Sequence, residues 1–343
     1  MESVVVKKEG DEHFQRSETG NLIVAGIQFD KVLVAFSGGK DSLACILHLL
    51  EIGINPSTIE LHHHEIDEPG EVFMDWPCTP AYCRAVAKHL NLPCLFSRRK
   101  GGFKREMERE GHPTAPVFFE MPDGRIGFAG GNGPAGTRGK FPQVSADLSV
   151  RWCSAYLKID VMRRLINNQD RFEGIRTVVL TGERAEESPA RSRYKQFENH
   201  NCYSAGKGRY VYSWRPVIHW SEKDVWDIIQ RHSIQPHLAY ELGWGRLSCM
   251  SCIFGSPNQW ASIRHCFPEH FERVAVKEES TGSTIQRKRN VRELADAGKV
   301  YDGALNKPNY LTLAQVEGWK LPIYVPGYWK LPSGAFGEST GPT

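Results

Sequence analysis

The stretch that decides the fold reads Val32-Leu33-Val34-Ala35-Phe36-Ser37-Gly38-Gly39-Lys40-Asp41-Ser42. Its five apolar residues predict a buried parallel strand, and the apolar spacing over residues 43–50 predicts a helix. The polar hexapeptide 37–42 is therefore a strand-to-helix turn. Its glycines let backbone N–H groups approach an anion, and the helix adds its positive N-terminal end. Together with the ammonium of Lys40 and the hydroxyls of Ser37 and Ser42, the turn is predicted to be a phosphate cradle.

The cradle is not a Walker A loop, because the Gly-x-x-x-x-Gly-Lys spacing is absent. The alternative is an ordinary glycine turn between a strand and a helix, although such turns rarely combine serine, lysine and aspartate. The net charge of +3 is too small to indicate a nucleic acid partner by itself. No apolar segment approaches the ~20 residues that span a bilayer. Nine cysteines without an export signal indicate a reducing compartment, and we expect the cytoplasm.

The chain is expected to divide into three parts. These are an N-terminal arm (1–28), a nucleotide-binding α/β domain (29–235) and a cysteine-containing C-terminal region with a flexible tail (236–343). Further parallel strands are predicted at 58–62, 93–97, 177–180 and 214–219. The Gly/Pro-rich insertion at 111–150 is interpreted as either a lid or an inert insertion, with a short hairpin around residues 122–124.

Two strand ends carry candidate ligand contacts. The run His62-His63-His64-Glu65-Ile66-Asp67 invites a metal interpretation, but consecutive side chains on a strand point to opposite faces. A ribose or adenine contact from Glu65 or Asp67, or a plain polar loop, is the preferred interpretation. The other strand end is the turn Thr181-Gly182-Glu183-Arg184-Ala185-Glu186-Glu187-Ser188, whose arginine, with Arg191, suits phosphate or sulfate.

The cysteines suggest a second kind of chemistry. Cys249-x-x-Cys252 is a redox dithiol, half of a zinc site or half of an iron–sulfur site. The redox interpretation requires a neighbouring thioredoxin-like βαβ pattern, which this glycine-rich segment lacks. With Cys153 and Cys266 the pair would complete a tetrahedral set of four thiolates for either metal.

Several separate blocks resemble one family. Residues 37–42 are similar to the PP-loop of the N-type ATP pyrophosphatases. Residues 181–191 resemble the Thr-Gly-x-Arg-x-x-Glu-Ser-x-x-Arg block of the phosphoadenosine phosphosulfate reductase family. Arg151-Trp152-Cys153 with Lys158, and the segments 214–226 and 245–252, follow the order of that family. The resemblance covers about residues 30–275.

The resemblance implies an α/β fold with a five-stranded parallel sheet of the adenine nucleotide α-hydrolase type, HUP-like and Rossmann-like. It implies that ATP or another adenine nucleotide is bound by Ser37, Gly38, Gly39, Lys40, Asp41, Ser42, Asp67, Thr181, Gly182, Glu187 and Ser188. The implied catalytic residues are Lys40, Asp41, Arg184 and Arg191. Lys40 and the cradle amides would neutralise a departing pyrophosphate, and Asp41 would help to bind Mg²⁺.

For the cysteines, the resemblance favours a [4Fe-4S] cluster, with zinc as the alternative. The implied ligands are Cys153, Cys249, Cys252 and Cys266. Cluster-bearing reductases of the family have a double cysteine where this chain has Trp152-Cys153, so Cys266 is the candidate fourth ligand. If Cys266 is not a ligand, one iron of the cluster would be open, as in some sulfur-transferring relatives.

Reductases of the family resemble one another in a terminal Glu-Cys-Gly-type segment, whereas no cysteine follows Cys266 here. This difference favours an ATP pyrophosphatase that activates an acceptor for sulfur transfer, as in DNA phosphorothioation or tRNA thiolation. The alternatives are a sulfonucleotide (APS or PAPS) reductase and a non-catalytic nucleotide-binding subunit of a larger assembly. The candidate partners are a nucleic acid acceptor met by the basic run 286–290, a sulfur donor such as a cysteine desulfurase, and a second copy in a homodimer or larger assembly. No membrane partner is expected.

Overall fold

The computed structural model describes residues 14–337. Its strands are β1 (Phe14–Arg16), β2 (Leu22–Val24), β3 (Ile27–Gln28), β4 (Lys31–Ala35), β5 (Ile59–Glu65), β6 (Cys94–Arg99), β7 (Val117–Glu120), β8 (Ile126–Ala129), β9 (Arg176–Leu180), β10 (Phe197–Asn199) and β11 (Tyr210–Trp214). Its helices are α1 (Lys40–Glu51), α2 (Thr79–His89), α3 (Gly102–Met107), α4 (Trp152–Ser154), α5 (Asp160–Asn167), α6 (Glu222–Arg231), α7 (Leu238–Glu241), α8 (Pro257–Cys266), α9 (Pro268–Thr281), α10 (Val291–Asp296), α11 (Asp302–Asn306) and α12 (Pro308–Ala314). A π-helical turn, Ala155–Ile159, joins α4 to α5.

The central sheet has the strand order β10-β11-β9-β4-β5-β6-β7-β8. The five adjacent strands from β11 to β6 are parallel, which confirms the predicted five-stranded parallel sheet. Antiparallel strands extend both edges, β10 on one side and the β7–β8 hairpin on the other. The hairpin is the one predicted around residues 122–124, so this part of the Gly/Pro-rich insertion belongs to the sheet.

The central strands are buried on both faces, which explains their continuous apolar sequence. Val32 and Val34 of β4 pack in a core with α1, α2 and α6. Leu33, between them, faces the opposite side and packs in a second core with α5. Strand β9 alternates in the same way. The carboxyl ends of these strands, where α/β sheets bind ligands, lead into the two predicted ligand turns.

Two predicted segments differ from the structure. Residues 14–28 of the expected N-terminal arm form a three-stranded antiparallel sheet in the order β1-β2-β3, anchored by the buried Leu22 and Val24, while residues 1–13 lie outside the described range. The fifth parallel strand ends at Trp214 instead of beginning there. Pro216 offers no N–H for a strand ladder, and the chain turns so that the Ile218 N–H donates to the Arg215 carbonyl at 3.2 Å.

The C-terminal region packs around its own core, to which α7 to α12 contribute and in which Trp76 and Trp152 are also buried. Part of the expected flexible tail is ordered, because the Gly334 N–H donates to the Tyr240 carbonyl at 2.7 Å. The rest of that tail, residues 338–343, lies outside the described range. Between residues 14 and 337, no helix combines the length and apolar character that crossing a membrane requires.

Candidate functional site

The predicted phosphate cradle is the turn between β4 and α1. Gly38 has a φ of +79°, a conformation that glycine adopts without strain, and Gly39 is the N-cap of the twelve-residue α1. The Ser42 hydroxyl accepts a hydrogen bond from the Ser37 N–H (3.3 Å) and donates one to the Gly39 carbonyl (3.0 Å). The turn is thereby held in a shape that presents the positive end of α1 to a ligand.

Lys40 is only 2% exposed and is tied to the C-terminal region. Its Nζ donates to the Gly245 carbonyl at 3.0 Å and lies 3.5 Å from Oε1 of Glu222 and 3.7 Å from Oδ2 of Asp41. Burial by itself would lower the pKa of Lys40, but the two carboxylates raise that pKa above its usual value. Lys40 therefore remains a charged ammonium at neutral pH.

Asp41 and Arg184 join the two predicted ligand turns. The Arg184 Nε donates to Oδ1 of Asp41 at 2.6 Å, and its Nη1 donates to Glu186 at 2.6 Å. Burial favours the neutral form of Asp41, but Lys40 and Arg184 outweigh it and hold the pKa of this carboxyl below its usual value. Gly182 permits the close approach, because a methyl group there would lie 2.6 Å from the Asp41 carbonyl carbon. The two turns thus form one charged site.

The second turn has its charges already paired within the protein. The predicted residues Thr181, Gly182, Glu187 and Ser188 all lie in it. The Glu187 carboxylate accepts from the Arg184 N–H at 2.8 Å and also binds the Arg191 guanidinium. Lys40, Arg184 and Arg191 are therefore each bound to carboxylates. An anionic ligand would compete with those carboxylates for the three cations.

Asp67 lies just beyond the end of β5 and organises the loop that follows. Its Oδ2 accepts the backbone N–H groups of Phe73, Met74 and Asp75 at 2.7 to 2.9 Å. Its Oδ1 is buried and has no hydrogen-bond partner among the described residues. Asp67 also lines a cavity of about 250 Å³ together with Glu65. The unpaired oxygen keeps Asp67 among the candidate nucleotide contacts.

Three of the four predicted cluster ligands lie together. Burial, with a smaller contribution from the neighbouring Cys252, raises the pKa of Cys153 to about 11. Burial likewise raises the pKa of Cys249 well above its usual value, and both Cys252 and Cys153 add to the effect. Cys266, at the end of α8, has a pKa of about 11 through burial alone, with no contribution from another thiol of the described residues. Cys153, Cys249 and Cys252, here called the trio, thus interact through their charges, whereas Cys266 packs in the same core without such an interaction.

The trio is not assembled around a single ion. Within residues 14–337, no three His, Cys, Asp or Glu side chains stand where one metal ion could bind them all. An iron–sulfur cluster is larger than one ion and is held by thiolates on different irons. The trio fits such a group in the chemistry of its donors, because three free thiols lie near enough to influence one another's pKa.

Comparison with known proteins gives this site a family. A model described as the phosphoadenosine phosphosulfate reductase domain matches residues 132–254. An "Uncharacterized 37.8 kDa protein in gpa 5'region" of Escherichia phage 186 is 31% identical over 270 residues, which are 74% of this chain and 76% of the phage protein. The chain belongs to the phosphoadenosine phosphosulfate reductase family. The matched residues include the second turn and the trio but not the cradle, so the cradle is identified by its own geometry.

Other family members match over shorter lengths. The adenosine 5'-phosphosulfate reductase of Neisseria meningitidis serogroup B is 28% identical over 116 residues, 34% of this chain and 42% of the reductase. The chain therefore matches less than half of that enzyme. Among solved structures, an FMN adenylyltransferase of Candida glabrata, crystallised with FMN and an ATP analogue, covers 64% of this chain and 55% of its own. It is 10% identical with a TM-score of 0.35, too low to establish a common fold.

Sequence reasoning assigned no role to three residues at the site. Glu222 is an ion-pair partner of Lys40, and the Tyr240 hydroxyl accepts the Lys40 N–H at 2.9 Å. Lys158, in the π-helical turn, lowers the pKa of Cys153 and Cys249 through its charge. Lys158 belongs to a block that resembles the family, and this resemblance is the sequence signal that could have identified it. The structure adds that Lys158 lies in a π-helical turn, a feature that is frequent at functional sites. No signal in the sequence indicates Tyr240, since 200 positions separate it from Lys40.

Of the three consecutive histidines of β5, His62 and His63 are buried and His64 is half-buried, and the described residues do not gather them around a metal ion. Nδ1 of His63 donates to the Phe36 carbonyl at 2.9 Å, and Nδ1 of His64 lies 2.7 Å from the Ser97 hydroxyl. Burial lowers the pKa of His63 to about 4 and that of His64 to about 3. Both rings are neutral at neutral pH, and they support the sheet beside the cradle.

We expect these histidines to make the protein sensitive to acid. Each binds a proton in the unfolded chain below about pH 6.5, yet stays neutral in the folded protein until about pH 4 or 3. The free energy of unfolding should fall below about pH 6.5 by about 1.4 kcal/mol per pH unit for each histidine. Urea denaturation between about pH 7 and pH 5 measures the slope. His64→Asn should make the slope shallower by one such contribution, and an unchanged slope would contradict the expectation.

Proposed function

We propose that this protein binds ATP at the cradle and transfers AMP to an acceptor for sulfur transfer. The acceptor bonds to the α-phosphate as pyrophosphate leaves, and the incoming sulfur then displaces AMP, so that ATP is cleaved overall to AMP and pyrophosphate. One observation carries the proposal: the cradle lies against the cysteine loop (residues 245–252). Lys40 Nζ bonds the Gly245 carbonyl, and a methyl group on Gly38 would lie 3.3 Å from the Leu247 side chain. Phosphates in the cradle would therefore lie next to the segment that carries Cys249 and Cys252.

The cations of the site have distinct roles in this proposal. Lys40 and the N-terminus of α1 neutralise the charge that develops on the departing pyrophosphate. Arg184 and Arg191 bind the α-phosphate or the acidic acceptor. Mg²⁺ is held mainly by phosphate oxygens, as is usual for this ion, and Asp41 contributes a carboxylate oxygen beside Arg184.

The cysteine trio is the proposed holder of a [4Fe-4S] cluster. Cys153, Cys249 and Cys252 supply three thiolates, and Lys158 offsets part of their negative charge. Held by these three thiolates, such a cluster would supply one iron without a cysteine ligand for sulfur chemistry. Zinc is the alternative occupant, but it would require the three thiolates to move closer together, because they do not surround a single ion in this structure.

The iron content of cysteine variants distinguishes a cluster held by three cysteines from one held by four. We expect Cys249→Ser to lose most iron and acid-labile sulfide in anaerobic preparations, because the variant lacks one of three thiolates. Cys266→Ser is the control, since it makes the same substitution at a buried thiol outside the trio. It should retain iron at the wild-type level. Equal loss in both variants would instead establish Cys266 as the fourth ligand.

The proposed acceptor is a nucleic acid. The exposed side chains of Arg287, Lys288 and Arg289 support this choice, because clustered basic groups bind phosphate backbones. A cysteine desulfurase is the proposed sulfur donor. The decisive experiment incubates the protein with ATP, Mg²⁺, DNA or tRNA and a desulfurase with cysteine, and then analyses nucleotide products. AMP with pyrophosphate supports the proposal, whereas ADP with phosphate, or no turnover with either acceptor, contradicts it.

A sulfonucleotide reductase is the second candidate, favoured by the adenosine 5'-phosphosulfate reductases among the relatives. The same cradle would then hold the phosphosulfate group. Release of sulfite from a sulfonucleotide in the presence of a thiol reductant would establish this activity. Absence of sulfite alongside ATP cleavage would exclude it.

A further inference from the structure

The Tyr240 hydroxyl connects two parts of the site that are far apart in sequence. It accepts the Lys40 N–H at 2.9 Å and the Leu247 N–H at 3.1 Å. The side chain is 1% exposed, and its ring packs edge-on against Trp226 with centroids 5.1 Å apart. A single buried oxygen therefore joins the first residue of α1, in the cradle, to the cysteine loop.

The cysteine loop also covers the cradle. The Lys40 ammonium is bound to the Gly245 carbonyl, and the Leu247 side chain lies within 3.5 Å of where methyl groups on Gly38 and Gly39 would be. A phosphate that uses the cradle must draw Lys40 away from Gly245 and occupy the space over the glycines. Because packed segments move as units between discrete arrangements, the loop must then shift.

A shift of Leu247 must also move Cys249, because the two residues are only two positions apart in the chain. We propose that Tyr240 is a positioning residue that couples phosphate binding in the cradle to the position of the cysteine loop. This inference rests on the proposed function, because it requires a nucleotide in the cradle. By linkage, any effect of nucleotide on the loop must be matched by an equal effect of the loop on nucleotide affinity.

Amide hydrogen exchange of Leu247 tests the coupling directly, because its N–H is the group that Tyr240 holds. The experiment uses the full-length, anaerobically purified protein with and without α,β-methylene-ATP, which cannot be cleaved between its α and β phosphates. Binding is measured separately by calorimetry. In the wild type we expect nucleotide to accelerate Leu247 exchange about five-fold or more, in the range of ordinary coupling energies.

In the Tyr240→Phe variant, the Leu247 amide hydrogen should exchange rapidly even without nucleotide. Its exchange rate should change less than about two-fold when nucleotide binds. Tyr82→Phe is the matched control: Tyr82 is equally buried and its ring borders Gly38, but its hydroxyl donates to the Gln235 carbonyl at 3.0 Å and holds neither Lys40 nor Leu247. This control should behave as the wild type. Loss of the nucleotide response in both variants would point to general loosening and overturn the inference.

A second variant keeps the test independent of how well Tyr240→Phe folds. Leu247→Ala removes a half-buried side chain from over the cradle but keeps the Tyr240 hydroxyl. We expect it to bind α,β-methylene-ATP several-fold more tightly, because less must be displaced. If the wild type binds nucleotide but the exchange rate of the Leu247 amide stays unchanged, the inference is overturned and the proposed function is not. Failure of the wild type to bind nucleotide overturns the proposed function and the inference together.

Discussion

Replacing Lys40 with alanine is expected to lower kcat/KM for cleavage of ATP to AMP and pyrophosphate by about 100- to 1,000-fold. Lys40 supplies a buried cation at the cradle, and it is held charged by Asp41 and Glu222. Its removal takes away a group that stabilises the leaving pyrophosphate more strongly than it stabilises bound ATP. A coupled pyrophosphate assay at saturating and limiting ATP separates the effect on kcat from the effect on KM.

Two further variants test whether the loss of activity is specific to Lys40 and to its ammonium group. Lys223→Ala removes a lysine whose side chain is 72% exposed and which pairs with Asp227 on the surface of α6, so its rate should equal that of the wild type. Lys40→Arg keeps the charge but not the compact ammonium, and it should recover only part of the loss. A Lys40→Ala rate within about three-fold of the wild type would refute the assignment of the cradle and favour a non-catalytic nucleotide-binding subunit.

The second large effect is expected on stability. Arg184→Met should lower the free energy of unfolding by about 3–5 kcal/mol, because it leaves Asp41 in the interior without its closest cation. The Arg184 side chain is 4% exposed and that of Asp41 is 19% exposed, so water screens the pair little. Urea denaturation followed by circular dichroism measures the change.

A double variant without the charges of Arg184 and Asp41 shows whether the remaining carboxylate causes the loss of stability. If the unpaired carboxylate is responsible, Arg184→Met combined with Asp41→Asn should be more stable than Arg184→Met alone. The matched control is Arg125→Met, which breaks an ion pair with Asp123 whose side chains are 73% and 48% exposed. That substitution should change stability by less than about 1 kcal/mol. Equal losses at the buried and exposed pairs would contradict the account.

Much of the fold could be predicted from short stretches of sequence. The apolar run 32–36 and the turn 37–42 specify a buried strand, a glycine turn and a helix, because each feature depends only on neighbouring residues. The same local logic identified strand β9 and the turn after it. It failed for residues 14–28, where strands of two or three residues have too few positions to show alternation.

The candidate site was also only partly predictable from the sequence. Residue types and spacing in the sequence predicted the cradle, the turn with Arg184 and Arg191, and the pair Cys249 and Cys252. Spacing along a chain carries no information about distance between remote segments. Only the tertiary structure brings Cys153 close enough to that pair for these thiols to influence one another's pKa, an influence that Cys266 does not share.

The sequence by itself determined that this protein has a central parallel sheet with a glycine turn leading into a helix, because local backbone and side-chain chemistry dictate both. Only the tertiary structure decided how that turn is covered. Tyr240 reaches Lys40 and Leu247 through packing of the C-terminal region on the sheet, a contact that depends on the whole core. The cradle and the cysteine loop became one site because the folding of the entire chain buries them against each other.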